Sequence, residues 1–112
     1  MAPKRRPPYY AVIFTSTQTD DLDGYAEMSA HMEKLASNQT GFLGIESFRS
    51  LDKKGVTISY WKDLNAIRAW KENPEHLTAQ QLGKQQWYQD YTIEIAKIET
   101  AYDLQTDCPP SE

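Results

Sequence analysis

Residues 9–16, Tyr-Tyr-Ala-Val-Ile-Phe-Thr-Ser, constrain this chain more than any other segment. Aromatic and β-branched side chains in a short unbroken run predict a β-strand. Successive strand residues point to opposite faces. Tyr9, Ala11 and Ile13 therefore share one face, and Tyr10, Val12 and Phe14 the other. Both faces are apolar, so the strand must be covered on two sides.

The remaining elements follow from spacing and punctuation. Thr17 to Asp23 is polar and reads as a loop, with Asp23 placed to cap a helix. Tyr25, Met28, Met32, Leu35 and Ala36 recur at helical spacing to about Ser37. His31 sits on the flank of that stripe and reads as a surface histidine. Asn38-Gln39-Thr40-Gly41 ends the helix with a glycine suited to positive φ. Phe42 to Arg49 alternates as a second strand, Asp52-Lys53-Lys54-Gly55 signals a hairpin turn, and Val56 to Trp61 is a third strand. Asp63 can cap a short second helix whose inward stripe is Ala66, Ile67 and Trp70. Asn73-Pro74 starts a third helix, expected to run to about Trp87 or Tyr88. Tyr91 to Tyr102 predicts a last strand about twice the usual length of roughly five or six residues.

The order β-α-β-β-α-α-β, joined by right-handed crossovers, predicts an α+β ferredoxin-like sandwich. It is a four-stranded antiparallel sheet with its helices on one face. The bare face would leave apolar side chains of the first strand in water, a patch that monomers avoid. The long last strand offers more backbone than one sheet can pair. Both features point to a homodimer with sheets stacked face to face and the last strand reaching across. The plainer alternative is a small exposed patch and a frayed strand end. The expected divisions are a disordered leader over 1–8, a domain over 9–104 and a flexible tail over 105–112.

Several function classes are excluded or unsupported. A chain of 112 residues makes one domain. Its net charge of −4 argues against a broad nucleic-acid footprint. Lys4-Arg5-Arg6 lies among prolines and reads as part of the leader. No apolar run reaches membrane-spanning length, and no signal-peptide core follows the basic start. A cytoplasmic protein with no nucleic-acid or membrane partner is expected. Cys108 is the only cysteine and lies in the tail, so it can form no intrachain disulfide and meets no fixed base. There is no Gly-rich phosphate loop, no Cys/His metal spacing and no Gly-x-Ser-x-Gly.

Residues 60–91 carry the functional signal. All three tryptophans and one of the two histidines fall there. Advancing 100° per residue from Pro74 puts His76, Ala79, Gln80, Gly83 and Trp87 on one helix face. Leu77, Leu82 and Tyr88 scatter elsewhere, so there is no clean apolar stripe. A face of His, Gln, a glycine gap and Trp is an odd core but a reasonable pocket lining. Trp70 on the preceding helix would complete the wall. The bland alternatives are that His76 serves the helix end or pairs with Glu75, Gln80 faces water, and the tryptophans are ordinary core.

Further residues form a familiar pattern. They are Gly41-Phe42-Leu43-Gly44-Ile45-Glu46-Ser47, Ser59-Tyr60-Trp61, Ala69-Trp70, Pro74-Glu75-His76-Leu77, Ala79-Gln80, Gly83 and Trp87-Tyr88, after the opening Tyr9-Tyr10-Ala11-Val12-Ile13-Phe14. This pattern resembles the antibiotic biosynthesis monooxygenase superfamily over about residues 9 to 104, and especially its small uncharacterised bacterial members. The resemblance implies a dimeric α/β barrel. It also implies oxygenation of aromatic or quinol substrates with no cofactor, neither metal nor flavin. In characterised members the substrate anion itself gives an electron to O2, so the resemblance implies a protein that binds the ring, helps remove a proton and stabilises oxyanion charge. In the haem-degrading branch an Asn on the first strand, a helical Trp and a haem-ligating His ten residues later form the site. Trp70 matches that Trp, but the residue ten later is Gln80, a poor iron ligand, and the first strand holds no Asn. Haem degradation is therefore disfavoured.

The expected function is a cofactor-independent monooxygenase acting on a small aromatic, quinone-like ligand between helices and sheet. His76 and Gln80 are the catalytic candidates. Tyr60, Trp61, Trp70, Gly83 and Trp87 are the substrate-binding candidates. The rival is a non-catalytic ligand-binding or structural dimer of the same fold.

Overall fold

The structure, a computed structural model, describes residues 5–104. Cys108 and the tail from residue 105 lie outside them, as do residues 1–4 of the leader. The elements are β1 (Tyr9–Gln18), α1 (Tyr25–Ser37), β2 (Phe42–Arg49), β3 (Lys54–Trp61), α2 (Leu64–Lys71), α3 (Pro74–Leu82), a π-helical turn (Gly83–Trp87) and β4 (Tyr88–Ile98). The sheet runs β2-β3-β1-β4, with every neighbouring pair antiparallel. This is the expected ferredoxin-like α+β fold.

The strand that is apolar on both faces takes an inner place, between β3 and β4. On its helix-bearing face, Tyr10 and Val12 pack against a core of Ala36, Trp61 and Ile67. On the other face Tyr9 and Ala11 are buried without a helix above them. The Arg5 guanidinium helps cover that end, 3.8 Å from the Tyr60 ring and 5.7 Å from the Tyr9 ring. Beyond it the helix-free face stays open, and Phe48 is 60% exposed.

Capping explains the helix starts. The Asp63 carboxylate accepts from Ala66 N–H at 2.8 Å, and the Asn73 side chain accepts from Glu75 and His76 N–H. Both satisfy donors that a helix leaves free. Asp23 does not cap α1. The N-cap is Gly24 at φ 79°, a left-handed turn that a residue without Cβ enters cheaply. The Asp23 carbonyl instead accepts from the Trp87 indole at 3.0 Å. Gly41 takes φ 86°, and a Cβ there would sit 2.6 Å from Ala66 Cβ. In the β2–β3 turn the positive φ falls on Lys53, at 71°, while Gly55 lies inside β3.

Two expectations need correcting. The third helix does not stay α-helical to Trp87: it widens at Gly83 into the π-turn. The bare Cα of Gly83 lets the Tyr88 ring approach to where a Cβ would meet it at 2.9 Å. The last strand starts at Tyr88 rather than Tyr91 and ends at Ile98. It has no surplus over its neighbour, because β1 pairs with it from Tyr9↔Ile98 to Gln18↔Tyr88. The long strand, 11 residues, is matched along its length by a 10-residue β1, so strand length is no argument for a partner. Among the described residues, no helix is long and apolar enough to cross a membrane.

Candidate functional site

A cavity of about 460 Å3 lies between the helix-bearing sheet face and the helices. Val12, Phe14 and Ile45 form part of its floor, Met28 and Met32 of α1 one wall, and Trp70, His76 and Gln80 another. Its volume falls within the roughly 300–1,000 Å3 typical of small-molecule sites. A larger hollow of about 590 Å3 beside Phe48 and Arg49 opens widely to solvent and is not lined by His76 or any tryptophan.

The site is built outward from Trp61. That indole is fully buried and donates to Ser59 Oγ at 2.9 Å. Trp70 stacks on it at 6.1 Å and 27°, and His76 stacks on Trp70 at 4.3 Å and 16°. The caps make this possible: Asp63 starts the helix that carries Trp70, and Asn73 the one that carries His76.

His76 Nδ1 lies 3.0 Å from the carbonyl oxygen of Trp70. A carbonyl only accepts, so Nδ1 carries the hydrogen and Nε2 keeps its lone pair in the neutral ring. Among the described residues Nε2 has no hydrogen-bond partner. Burial holds the imidazole pKa below its ordinary value of 6.5, against the opposing effect of the Trp70 carbonyl. His76 is thus a neutral, oriented proton acceptor on the wall of a mostly apolar cavity. Gln80 follows one turn later on the same wall, and its side-chain amide has no partner among the described residues.

Comparison with known proteins fits this geometry. Residues 8–82 match the model of the antibiotic biosynthesis monooxygenase family. The chain belongs to that family. It is 44% identical over 93 residues to the uncharacterised protein YqjZ of Bacillus subtilis, covering 83% of this chain and 82% of that one. It is 26% identical over 92 residues to the jasmonate monooxygenase ABM of Pyricularia oryzae, covering 80% of this chain but only 43% of that longer protein. Among solved structures, SnoaB, a cofactor-independent oxygenase from Streptomyces nogalater, superposes with a TM-score of 0.68 at 18% identity, over 88% of this chain and 98% of its own. PA3566 from Pseudomonas aeruginosa gives 0.70 at 12% identity, over 85% and 98%. At these identities the structural likeness speaks for the fold.

Within this family member the sequence-derived candidates separate. Trp70, His76, Gln80 and Trp87 line the cavity, while Trp61 stands behind Trp70 in the core. Gly83 is buried beneath Tyr88. Tyr60 lies on the opposite side of the sheet, because it precedes Trp61 by one residue and strand neighbours alternate. Its hydroxyl donates to Glu46 at 2.7 Å. Burial and that carboxylate push its pKa up to about 12. His31 is exposed and pairs with Glu75 at 3.0 Å, joining α1 to α3 above the cavity.

Sequence reasoning missed Tyr25 and Tyr88, which also line the cavity. Tyr25 was visible only as a member of the α1 stripe. Tyr88 seemed stray because the helical wheel was continued through a segment that becomes a π-turn and then a strand.

Proposed function

We infer that this protein is a monooxygenase that oxidises a small aromatic hydroxyl compound in the cavity between helices and sheet, without a cofactor. The carrying observation is His76. Its tautomer is set by the Trp70 carbonyl, burial keeps it neutral, and Nε2 is free beside an aromatic wall.

The chemistry balances with substrate and O2 alone. Nε2 accepts the hydroxyl proton of the ring, leaving an oxyanion. The oxyanion passes one electron to O2, and the resulting radical pair joins at a ring carbon. The peroxide oxygen takes back a proton. Loss of the hydrogen on that carbon, with cleavage of the O–O bond, leaves a quinone and water. The ring supplies all four electrons that O2 accepts, so no external reductant enters. The apolar wall strengthens the attraction between the oxyanion and the imidazolium formed beside it, and it favours direct proton transfer between the ring hydroxyl and His76. Trp70 orients the ring, and the Gln80 amide is placed to hydrogen-bond a ligand oxygen.

The same reading takes a second copy of the chain as the partner for the helix-free face. Support comes from Phe48, 60% exposed, with partly exposed Ile13, Val56 and Ile58 on that face. Such a patch is covered in a stable protein more often than left wet.

The test is oxygen uptake with a panel of dihydroxyaromatics, comparing the parent with His76→Ala and Trp70→Phe. Uptake that falls sharply in His76→Ala supports the reading. Ligand binding with no uptake in the parent would assign the cavity to a non-catalytic binding protein.

A further inference from the structure

The cavity has a second polar pole. Tyr25 and Tyr88 both line it, and their hydroxyl oxygens lie 3.5 Å apart. That is long for an O–H···O bond, whose usual distance is about 2.7–2.8 Å. Neither hydroxyl has another partner among the described residues. The rings, by contrast, are held firmly. Tyr88 meets Phe14 edge-on at 5.1 Å and Tyr91 at 6.2 Å, and Tyr25 meets Trp87 edge-on at 5.5 Å. Gly83 leaves the space into which the Tyr88 ring fits. Two fixed rings that line the same hollow therefore carry two loosely satisfied hydroxyls.

This pole stands apart from His76. The Tyr88 ring packs at Gly83, seven residues along the α3 path from His76, or about 10 Å of helix rise. It also packs on Phe14, whereas Trp61 pairs with Tyr10, four residues earlier on β1. That offset is about 13 Å of strand. Along α3 the Tyr88 pole thus lies about two helical turns beyond His76.

We propose that the Tyr25–Tyr88 hydroxyl pair is a specificity site, which donates a hydrogen bond to an oxygen at the end of the ligand remote from the one that His76 deprotonates. Burial keeps Tyr88 in its protonated, donating form. The selected ligand is an aromatic oxygenated at both ends, and a singly oxygenated ring leaves this pole unanswered. The inference rests on the reading that the cavity binds an aromatic hydroxyl compound.

Calorimetric titration under anaerobic conditions tests it with two probes, 2-naphthol and 2,6-dihydroxynaphthalene. The parent should bind the doubly oxygenated probe about tenfold more tightly, the effect of one good hydrogen bond. Tyr88→Phe keeps the ring packing and should erase that advantage, while 2-naphthol affinity stays within about twofold. Tyr25→Phe should reduce the advantage in the same direction, and it serves as the test if Tyr88→Phe does not fold. An unchanged ratio in these variants, or equal losses for both probes, would overturn the specificity site while leaving the cavity reading in place. If neither probe binds the parent, both the specificity site and the cavity reading are overturned.

Discussion

Trp70 holds His76 twice: the two rings stack at 4.3 Å, and the Trp70 carbonyl takes the His76 Nδ1 hydrogen at 3.0 Å. The backbone of one aromatic residue thereby sets the protonation geometry of the next functional group, and its side chain sets the ring plane. A side chain that keeps the volume but cannot accept a proton should separate binding from chemistry. His76→Gln is expected to lower the turnover of a bound dihydroxyaromatic by about 100-fold, the lower end of general-base contributions. Its dissociation constant should change by less than about threefold. Oxygen-electrode kinetics beside calorimetry would check this.

The pH dependence follows from burial. His76 has its pKa lowered in the folded state, so its lone pair stays available below pH 6.5. The acid limb of kcat/KM should therefore have its midpoint below 6.5, and His76→Gln should lack that limb. The linkage to stability has a definite sign. The unfolded chain takes up the proton near pH 6.5 while the folded protein resists it, so this group's contribution is complete above 6.5 and declines as pH falls below it. Urea titrations of the parent and His76→Gln at a series of pH values would show the parent alone carrying that loss.

Two glycines at positive φ should respond differently to alanine. Gly24, at φ 79°, has open space where a methyl group would point, with nothing within 4 Å. Gly24→Ala should cost only the left-handed strain, about 1–2 kcal/mol. Gly41, at φ 86°, faces Ala66 Cβ at 2.6 Å. Gly41→Ala adds a clash with α2 to the same strain and should cost roughly 2–4 kcal/mol. Denaturant midpoints of the two variants give the comparison.

Most of the fold was legible because its signals are local. The doubly apolar β1, the Asp63 and Asn73 caps and the alternation of Phe42–Arg49 each act within a few residues. The α1 start was misread because Asp23 is a fair capping residue in isolation. Its carbonyl is claimed instead by Trp87, 64 residues away. The site was legible in part for the same reason. His76 and Gln80 are one helical turn apart, and their shared wall follows from that spacing. Tyr60 was grouped with Trp61 by adjacency, although strand alternation puts them on opposite faces. Tyr25 and Tyr88 meet only through the tertiary fold, and the π-turn that brings Tyr88 over the cavity depends on how its ring packs at Gly83.

The helix-free face gives a test of association. Phe48 contributes a ring that is 60% exposed there, so a charge at this position should disturb a partner far more than the monomer's own core. Phe48→Asp should weaken self-association at least tenfold in sedimentation equilibrium, with the circular dichroism spectrum unchanged. A parent that stays monomeric at high concentration would rule out the second copy.

The most direct measurement is isotopic. The parent protein, freed of metals and flavin and given no reductant, is incubated with 2,6-dihydroxynaphthalene under 18O2. One O2 should be consumed per substrate, with one labelled atom in the quinone product and the other in water, and the rate should collapse in His76→Gln. Product formed without label, or labelled product formed equally fast by His76→Gln, would contradict a cofactor-free oxygenation based on His76.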